Sequence, residues 1–189
     1  MSSKLEKTYI PHYIIDQKLP KMAQKMLNYY DDNFSICLVG IMKGGLWTMY
    51  RLLEYLHLEL PINKDHNITI GHVGFSSYNE MTHTQEMRCT YMLDLVPDDM
   101  RKKHVWLVDD IFDSGNTAKA AHAEINKTLP LNATLNMTTL VTKHIKKPDV
   151  YGFVVNPNQF IVGCGMGLDE RYRSFPWLTS INELGVQDV

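Results

Sequence analysis

One stretch near the middle of the chain restricts the fold more than any other. Residues 105–108 are apolar and two of them are β-branched, which is typical of a strand buried on both faces of a parallel sheet. Asp109, Asp110 and Asp113 follow, and residues 114–117 then open an alanine-rich run that predicts a helix. The pattern therefore predicts carboxylates beside an anion-binding loop at the carboxyl edge of a sheet.

The two halves of this stretch attract different groups. Free N–H groups at a helix start bind phosphate, whereas carboxylates repel it unless they accept hydrogen bonds from hydroxyls or hold a divalent cation. A sugar phosphate meets both requirements. We expect Asp109 and Asp110 to bind ribose hydroxyls and Asp113 to face the reacting group. The terminal phosphate is assigned to the loop of Ser114, Gly115, Asn116 and Thr117.

Three other interpretations of the stretch fit less well. Aspartate is a common helix cap, but capping accounts for one of the three carboxylates. A calcium-binding loop would need oxygen ligands at alternating positions, where Ile111 and Phe112 interrupt the pattern. In a response regulator the acidic pair follows the first strand and a lone phospho-accepting Asp closes a later strand. No Asp of that kind is found between the pair and Lys147.

The composition excludes several classes of protein. At 189 residues the chain fits one domain, and its 44% hydrophobic and 21% charged residues are ordinary for a globular protein. A net charge of −2 provides no broad basic surface for nucleic acid. The odd and widely spaced Cys37, Cys89 and Cys164 favour reduced thiols. With no signal peptide and no apolar run near the ~20 residues that span a bilayer, we expect a cytoplasmic protein without a membrane partner.

Apolar runs of helical and strand character alternate along the chain, as they do in parallel α/β proteins. Helical spacing covers residues 20–30, with Pro20 in the first turn, and residues 47–60. Further strands are predicted at residues 35–41, 67–75, 89–95, 132–141, 151–155 and 160–163. We expect a single domain, a doubly wound parallel sheet flanked by helices over about residues 20–145. Residues 1–19 and 146–189 would form a small hood lobe.

Two loops beside the central stretch are candidates for substrate contact. Lys43 and Gly44 lie in a Met-Lys-Gly-Gly turn before a helix, a weak signal by itself because such a turn is often only a tight corner. The polar connection between residues 78 and 88 lacks the glycine of a short hairpin turn. We therefore expect that connection to be a flap that closes over the site.

The central stretch resembles the phosphoribosyl diphosphate (PRPP) motif of type I phosphoribosyltransferases. That motif is an apolar strand, two acidic residues, two apolar residues and Asp-Thr/Ser-Gly-x-Thr, and every part of it is present. The resemblance implies the fold of that family, with PRPP held by the carboxylates and the loop named above. It also implies a diphosphate site, because the turn after the first strand is similar to the Leu-Lys-Gly-Gly loop of 6-oxopurine enzymes. The implied diphosphate-binding residues are Lys43, Gly44, Ser77, Tyr78 and Arg173.

The carboxyl-terminal part resembles the hypoxanthine-guanine branch of this family, and the likeness spans about residues 8–180. It implies that Lys143 reaches the purine 6-oxo group, that Phe160 stacks on the ring and that a carbonyl near Val162 meets the 2-position. One position departs from the pattern. The metal-associated Asp of the family falls on Gly167, and Asp169 lies two residues later. Either Asp169 takes that place beside the metal or a water does.

The resemblance as a whole implies purine salvage. PRPP and hypoxanthine or guanine would give IMP or GMP and diphosphate, with Asp113 as the catalytic residue at N7 of the base. Mg²⁺ would be held by Asp109, Asp110 and Asp169. A homodimer or homotetramer without a nucleic-acid partner is implied as well. Two alternatives stay open, a nucleotide-binding regulator that keeps the fold and an enzyme that prefers xanthine.

Overall fold

The computed structural model describes residues 9–29, 35–60, 68–78, 86–93, 103–131, 133–145 and 148–181, with the exception of the side chains of Ser77, Tyr78, Glu86, Leu93 and Lys103. In chain order its elements are β1 (Tyr9–Ile10), α1 (His12–Leu27), β2 (Ser35–Met42), α2 (Gly45–Glu59), β3 (Ile68–Tyr78), β4 (Glu86–Leu93), β5 (Lys103–Phe112), α3 (Asn116–Asn126), β6 (Thr134–Thr142), β7 (Val150–Val154), β8 (Ile161–Val162) and β9 (Leu178–Ser180). Among the described residues, no helix has the length and apolar character needed to cross a bilayer.

The central sheet has six strands in the order β4-β3-β2-β5-β6-β7. Every neighbouring pair is parallel except β3 and β4, which form an antiparallel arm at one edge. On β5, Trp106 and Val108 pack with residues of α1 and α2. Val105 and Leu107 pack on the other face with α3. The predicted doubly wound sheet, with β5 buried on both faces, is therefore confirmed.

Helix α1 begins earlier than the sequence predicted. It starts at His12 rather than Pro20, and its buried residues recur at helical spacing: Ile15, Leu19, Met22, Ala23 and Met26. Pro20 lies inside the helix, where it lacks the N–H for one backbone hydrogen bond. Packing of the apolar stripe against α2 and β7 outweighs that loss. Because Pro20 was assigned to a first turn, the start of this helix was predicted two turns too late.

The small lobe is a three-stranded antiparallel sheet in the order β1-β9-β8. It is smaller than the predicted hood, because β7 pairs in parallel with β6 and so extends the central sheet. Gly152 accounts for the position of β7. A Cβ at Gly152 would lie 3.1 Å from the Met22 sulfur and would overlap the Leu140 carbonyl oxygen. The strand therefore fits closely beneath α1 and beside β6.

The flap predicted between residues 78 and 88 falls largely on residues 79–85, which lie outside the described residues. Its last three residues belong to β4, where Glu86, Met87 and Arg88 pair with the end of β3. The antiparallel arm therefore includes both ends of the connection, and the flap itself stays a prediction.

Candidate functional site

The carboxyl ends of β2 and β5 enclose a cavity of about 270 Å³. Parallel strands end at the same edge of a sheet, so residues far apart in sequence meet there. The cavity brings together the predicted catalytic residue, Asp113, and most of the residues assigned to PRPP and diphosphate: Lys43, Gly44, Asp109, Asp110, Ser114, Gly115, Thr117 and Arg173. Asn116 is exposed at the start of α3 and does not line it. Ser77 and Tyr78 end β3, and their side chains lie outside the described part of the chain.

Asp109 and Asp110 lie within β5 rather than after it, because the strand continues to Phe112. The two residues are only 7% and 8% exposed. Asp109 Oδ1 accepts the Asp110 N–H at 3.0 Å, and Asp110 Oδ1 accepts the Ile111 N–H at 2.7 Å. Burial raises the pKa of both carboxyls, and repulsion from Asp110 raises the pKa of Asp109 further. Hydroxyl donors or a cation would stabilise such a pair.

Two glycines bring the loop after β2 against this acidic pair. Gly44 has ordinary helical angles, φ −60° and ψ −47°, so its backbone conformation does not require glycine. The limited space does require glycine, because a Cβ at Gly44 would overlap the Asp110 carboxylate. A Cβ at Gly45 would likewise overlap the Val108 carbonyl oxygen. The turn that carries Lys43, whose peptide bond with Met42 is cis, therefore packs directly on the end of β5.

The loop before α3 has the form of an anion-binding turn. Gly115 caps the helix in the left-handed region, at φ 79°, where glycine is favoured. Ser114 Oγ accepts the Asn116 N–H at 3.4 Å, and the Lys119 N–H donates to the Gly115 carbonyl at 2.9 Å as the first helical bond. The first helical bond begins at Lys119, so the N–H groups of Thr117 and Ala118 have no partner within the helix, and both residues line the cavity, as phosphate binding requires.

Asp113 and Lys143 form an ion pair at 2.7 Å between Lys143 Nζ and Asp113 Oδ2. The lysine side chain is 9% exposed, whereas that of the aspartate is 59% exposed. The backbone supports the contact, because the Lys143 N–H donates to the Phe112 carbonyl at 3.0 Å and joins the ends of β5 and β6. The residue predicted to act on N7 and the residue predicted to bind O6 thus lie side by side.

A smaller cavity of about 140 Å³ adjoins the first. Four residues line both cavities: Asp110, Ile111, Asp113 and Arg173. The remaining lining residues of the smaller cavity are Lys143, Phe160, Ile161, Met166 and Gly167. Phe160 is 52% exposed, which leaves part of its ring available for stacking.

Ile161, rather than Val162, is the β8 residue that lines the smaller cavity. Val162 is fully buried and lies opposite Thr179. The Ile181 N–H donates to the Phe160 carbonyl at 3.0 Å, so the alternation of antiparallel pairs makes Val162 and Thr179 the next hydrogen-bonded pair. The C=O and N–H of Ile161 then face the open edge of β8. Ile161 is therefore the better placed candidate for contact with the purine 2-position, and the assignment to Val162 stays a prediction.

Gly167 packs against the side chain of Arg173. A Cβ at Gly167 would lie 2.5 Å from the Arg171 carbonyl oxygen and 2.7 Å from Arg173 Cγ, so an aspartate does not fit here without displacing the arginine. Asp169 is exposed, has φ 47° and lines neither cavity. Its role beside a metal stays a prediction. Within the described residues, no group of three or more His, Cys, Asp or Glu side chains could hold a metal ion.

This arrangement defines a class of protein. A sheet that presents buried carboxylates, an anion-binding loop and an adjoining cavity with an aromatic wall at one edge is the architecture of a nucleotide-binding or nucleotide-forming protein. The chain matches the phosphoribosyl transferase domain over residues 10–170 and belongs to that family.

Individual relatives agree with the family assignment. The hypoxanthine-guanine phosphoribosyltransferase of Bos taurus is 28% identical over 188 residues, which cover 96% of this chain and 83% of the relative. The protein of the same name from Dictyostelium discoideum is 29% identical over 174 residues, covering 89% and 91%. A solved hypoxanthine phosphoribosyltransferase from Staphylococcus aureus has a TM-score of 0.75 at 22% identity, covering 97% of this chain and 95% of that one. That structural likeness shows a shared fold.

Proposed function

We propose that this protein transfers the 5-phosphoribosyl group of PRPP to N9 of hypoxanthine or guanine, giving IMP or GMP and diphosphate. The observation that carries the proposal is the ion pair of Asp113 and Lys143 where the two cavities join. A 6-oxopurine presents N7 and O6 on one edge, so this pair offers an acceptor to the first and a donor to the second. Relatives named hypoxanthine-guanine phosphoribosyltransferase support the same reaction.

The larger cavity suits PRPP. Asp109 and Asp110 accept hydrogen bonds from the ribose hydroxyls, which stabilises carboxylates that burial otherwise disfavours. The first turn of α3 binds the 5-phosphate through its free N–H groups. Lys43 and Arg173 line the same cavity and neutralise the diphosphate as its bond to the ribose lengthens.

The smaller cavity suits the base. The ribose carbon gains positive charge as the diphosphate departs, and the purine N9 attacks that carbon from the opposite face. Asp113 accepts a hydrogen bond or a proton at N7 while the new bond forms. Lys143 donates to O6, and Phe160 stacks on the ring, a type of contact worth roughly 1–3 kcal/mol per base.

Mg²⁺ is the proposed cofactor, and the acidic pair fits it. Asp109 and Asp110 are adjacent buried carboxylates with raised pKa values, which a divalent cation would stabilise. Proteins commonly hold this ion with one or two carboxylates, and substrate phosphates and water complete its shell. The bound ion supplies positive charge that neutralises the departing diphosphate. Asp169 remains a proposed ligand on the strength of the sequence resemblance.

Formation of IMP from hypoxanthine and PRPP by the purified protein tests the proposal, with a mixture that lacks PRPP as the control. The alternative, a regulator that binds nucleotides without turnover, predicts that PRPP and IMP bind but no product forms. The net charge of −2 offers such a regulator no broad basic surface for nucleic acid, so we favour the enzyme. Turnover with xanthine in place of hypoxanthine tests a preference for that base.

We also propose that the enzyme works in the cytoplasm as a homodimer or homotetramer. All three cysteines are free thiols, which suits a reducing compartment. Sedimentation of the purified protein measures the assembly directly.

A further inference from the structure

Glu170 contacts both of the cations that line the larger cavity. Its Oε2 lies 3.2 Å from Lys43 Nζ and 3.3 Å from Arg173 Nε, and its Oε1 lies 3.5 Å from Arg173 Nη2. Arg173 also donates from Nη1 to the Gly165 carbonyl at 2.8 Å. One carboxylate thus joins two positive groups that come from the turn after β2 and from the small lobe.

A strained turn holds Glu170 in this position. Asp169 and Glu170 have φ values of 47° and 64°, in the left-handed region that non-glycine residues rarely adopt. Leu168 and Arg171 enclose them with two backbone hydrogen bonds, at 3.3 Å and 2.8 Å. The four residues therefore form a tight two-residue hairpin turn built without glycine. Such strain persists where the surrounding contacts enforce it, often at ligand-binding sites.

The contacts of Glu170 also set its charge. Hydrogen bonds from Lys43, and then from Arg173, lower the pKa of this carboxyl, so it is ionised at neutral pH. An ionised carboxylate on two cations occupies the position that a negatively charged oxygen of a ligand would take. The side chains of Lys43 and Glu170 are 65% and 63% exposed, so water can reach the pair and an incoming anion can exchange with it.

Given the proposed function, we propose that Glu170 is a positioning residue that holds Lys43 and Arg173 over the diphosphate site and competes with diphosphate for them. PRPP displaces the carboxylate from the two cations when it binds. Glu170 returns to them as diphosphate leaves and so speeds its release. The carboxylate keeps the two cations in place between turnovers, at the cost of weaker binding of the anion.

Calorimetric titration of the full-length protein with inorganic diphosphate and Mg²⁺ tests this competition. Glu170→Gln keeps the size of the side chain and one acceptor oxygen but removes its charge. We expect diphosphate to bind this variant roughly twofold to tenfold more tightly, the scale on which exposed ion pairs compete. The KM for PRPP should fall, and diphosphate should dissociate more slowly from the variant.

The matched control is Glu124→Gln, which removes another Glu–Lys pair, that of Glu124 and Lys127 at 2.6 Å on α3. This control should leave the diphosphate Kd unchanged. The Lys43→Met background provides a second test, because the effect of Glu170→Gln should shrink when one of the two contested cations is absent. Circular dichroism and Tm establish that each variant is folded.

The outcomes separate this inference from the proposed function. Unchanged or weaker binding of diphosphate to folded Glu170→Gln, with the unmodified protein forming IMP from PRPP, overturns the competition and leaves the reaction standing. An unmodified protein that neither binds diphosphate nor forms IMP overturns both. An equal gain in the Lys43→Met background would show that Glu170 does not act through Lys43 and would also overturn the inference.

Discussion

Among single residues, Asp113 is the one on which turnover should depend most. Asp113→Asn keeps the shape of the side chain but removes the base and the charge that pairs with Lys143 at 2.7 Å. We expect kcat to fall about 10²-fold or more, the usual scale for a positioned acid–base group, while PRPP binding is preserved. Steady-state kinetics and calorimetric titration with PRPP measure the two effects. Unchanged turnover would remove Asp113 from the chemistry.

Lys143 should decide which purine is used. An ammonium only donates, and this one is 9% exposed, so the 6-amino group of adenine would leave a nearly buried donor unmet at a cost of about 1–3 kcal/mol. At the 2-position, the proposed partner is the Ile161 carbonyl at the open edge of β8, which would suit the amino group of guanine and repel the 2-oxo group of xanthine. We expect kcat/KM for hypoxanthine and guanine to be well above that for adenine and xanthine.

Comparison of kcat/KM for all four bases measures this preference. Adenine used as well as guanine would overturn the assignment of Lys143. Xanthine used as well as guanine would show that the cavity presents a donor to the 2-position.

The positions of site residues could be predicted where one short sequence motif contains them. They could not be predicted where the pairing of distant strands determines which residue faces the cavity. Asp110 and Asp113 follow directly from a run at a strand end, Lys43 needed the family resemblance as well, and the structure places all three in one cavity. Which β8 residue faces the smaller cavity could not be predicted, because the hydrogen-bonding phase of β8 depends on β9, about 17 residues later in the chain. The contacts of Glu170 with Lys43 and Arg173 could not be predicted, because they depend on a turn geometry that no local pattern indicates.

Helices and strands could be predicted where buried apolar residues recur with a clear helical or strand spacing. The predicted strand at residues 35–41 and the predicted helix at residues 47–60 agree with β2 and α2 to within two residues at each end. The same reasoning failed at α1, because a proline inside a helix looks like a helix start when only local rules are applied. Packing of the apolar stripe that includes Met22 against the core determines where α1 begins, and a short stretch of sequence does not reveal that packing.

The close packing of the turn after β2 on β5 can be tested by adding a methyl group at Gly44. Gly44→Ala changes a residue with ordinary helical angles, so its backbone tolerates alanine, but the new Cβ would overlap the Asp110 carboxylate. We expect kcat/KM for PRPP to fall roughly 10-fold or more, because small displacements of positioning groups are costly. Gly40→Ala in β2 is the control. Its Cβ would meet the Met49 side chain at 2.9 Å, a flexible group that can move.

Steady-state kinetics and Tm for both glycine variants separate the local effect from the global one. A Gly44→Ala protein with unchanged kcat/KM would show that the turn and the acidic pair move apart freely. Equal losses of activity in both variants would point to general disturbance of β2 instead of contact with Asp110.

At the scale of the whole molecule, the sheet places two carboxylates where folding alone does not favour them. Asp109 and Asp110 are buried in the middle of the central sheet, next to apolar residues that pack on both of its faces. Burial raises the pKa of both carboxyls, which means that the charged forms are disfavoured in the folded protein. Sites of this kind lower stability in return for binding, and ligands restore that stability.

Asp109→Asn should therefore stabilise the free protein near neutral pH. Asparagine keeps the oxygen that accepts the Asp110 N–H at 3.0 Å, but it carries no charge. The pKa of Asp109 is higher in the folded protein than in the unfolded chain. The stabilisation that the neutral carboxyl gives to the folded state is therefore complete below the ordinary carboxyl pKa of about 3.9 and is lost as the pH rises through the folded-state pKa. At neutral pH the variant should gain roughly 2–4 °C in Tm for each kcal/mol regained, while PRPP binding weakens.

Thermal unfolding followed across the acidic to neutral range measures the sign of this effect. The difference between the variant and the unmodified protein should shrink as pH falls, because a protonated Asp109 and an asparagine are both neutral. Asp149→Asn is the matched control, since Asp149 also accepts a backbone N–H, from Met137 at 2.8 Å, but is exposed to water. We expect the Tm of Asp149→Asn to equal that of the unmodified protein. A gain that persists unchanged at low pH, or a loss near neutral pH, would mean that burial of the Asp109 charge does not limit the stability of this fold.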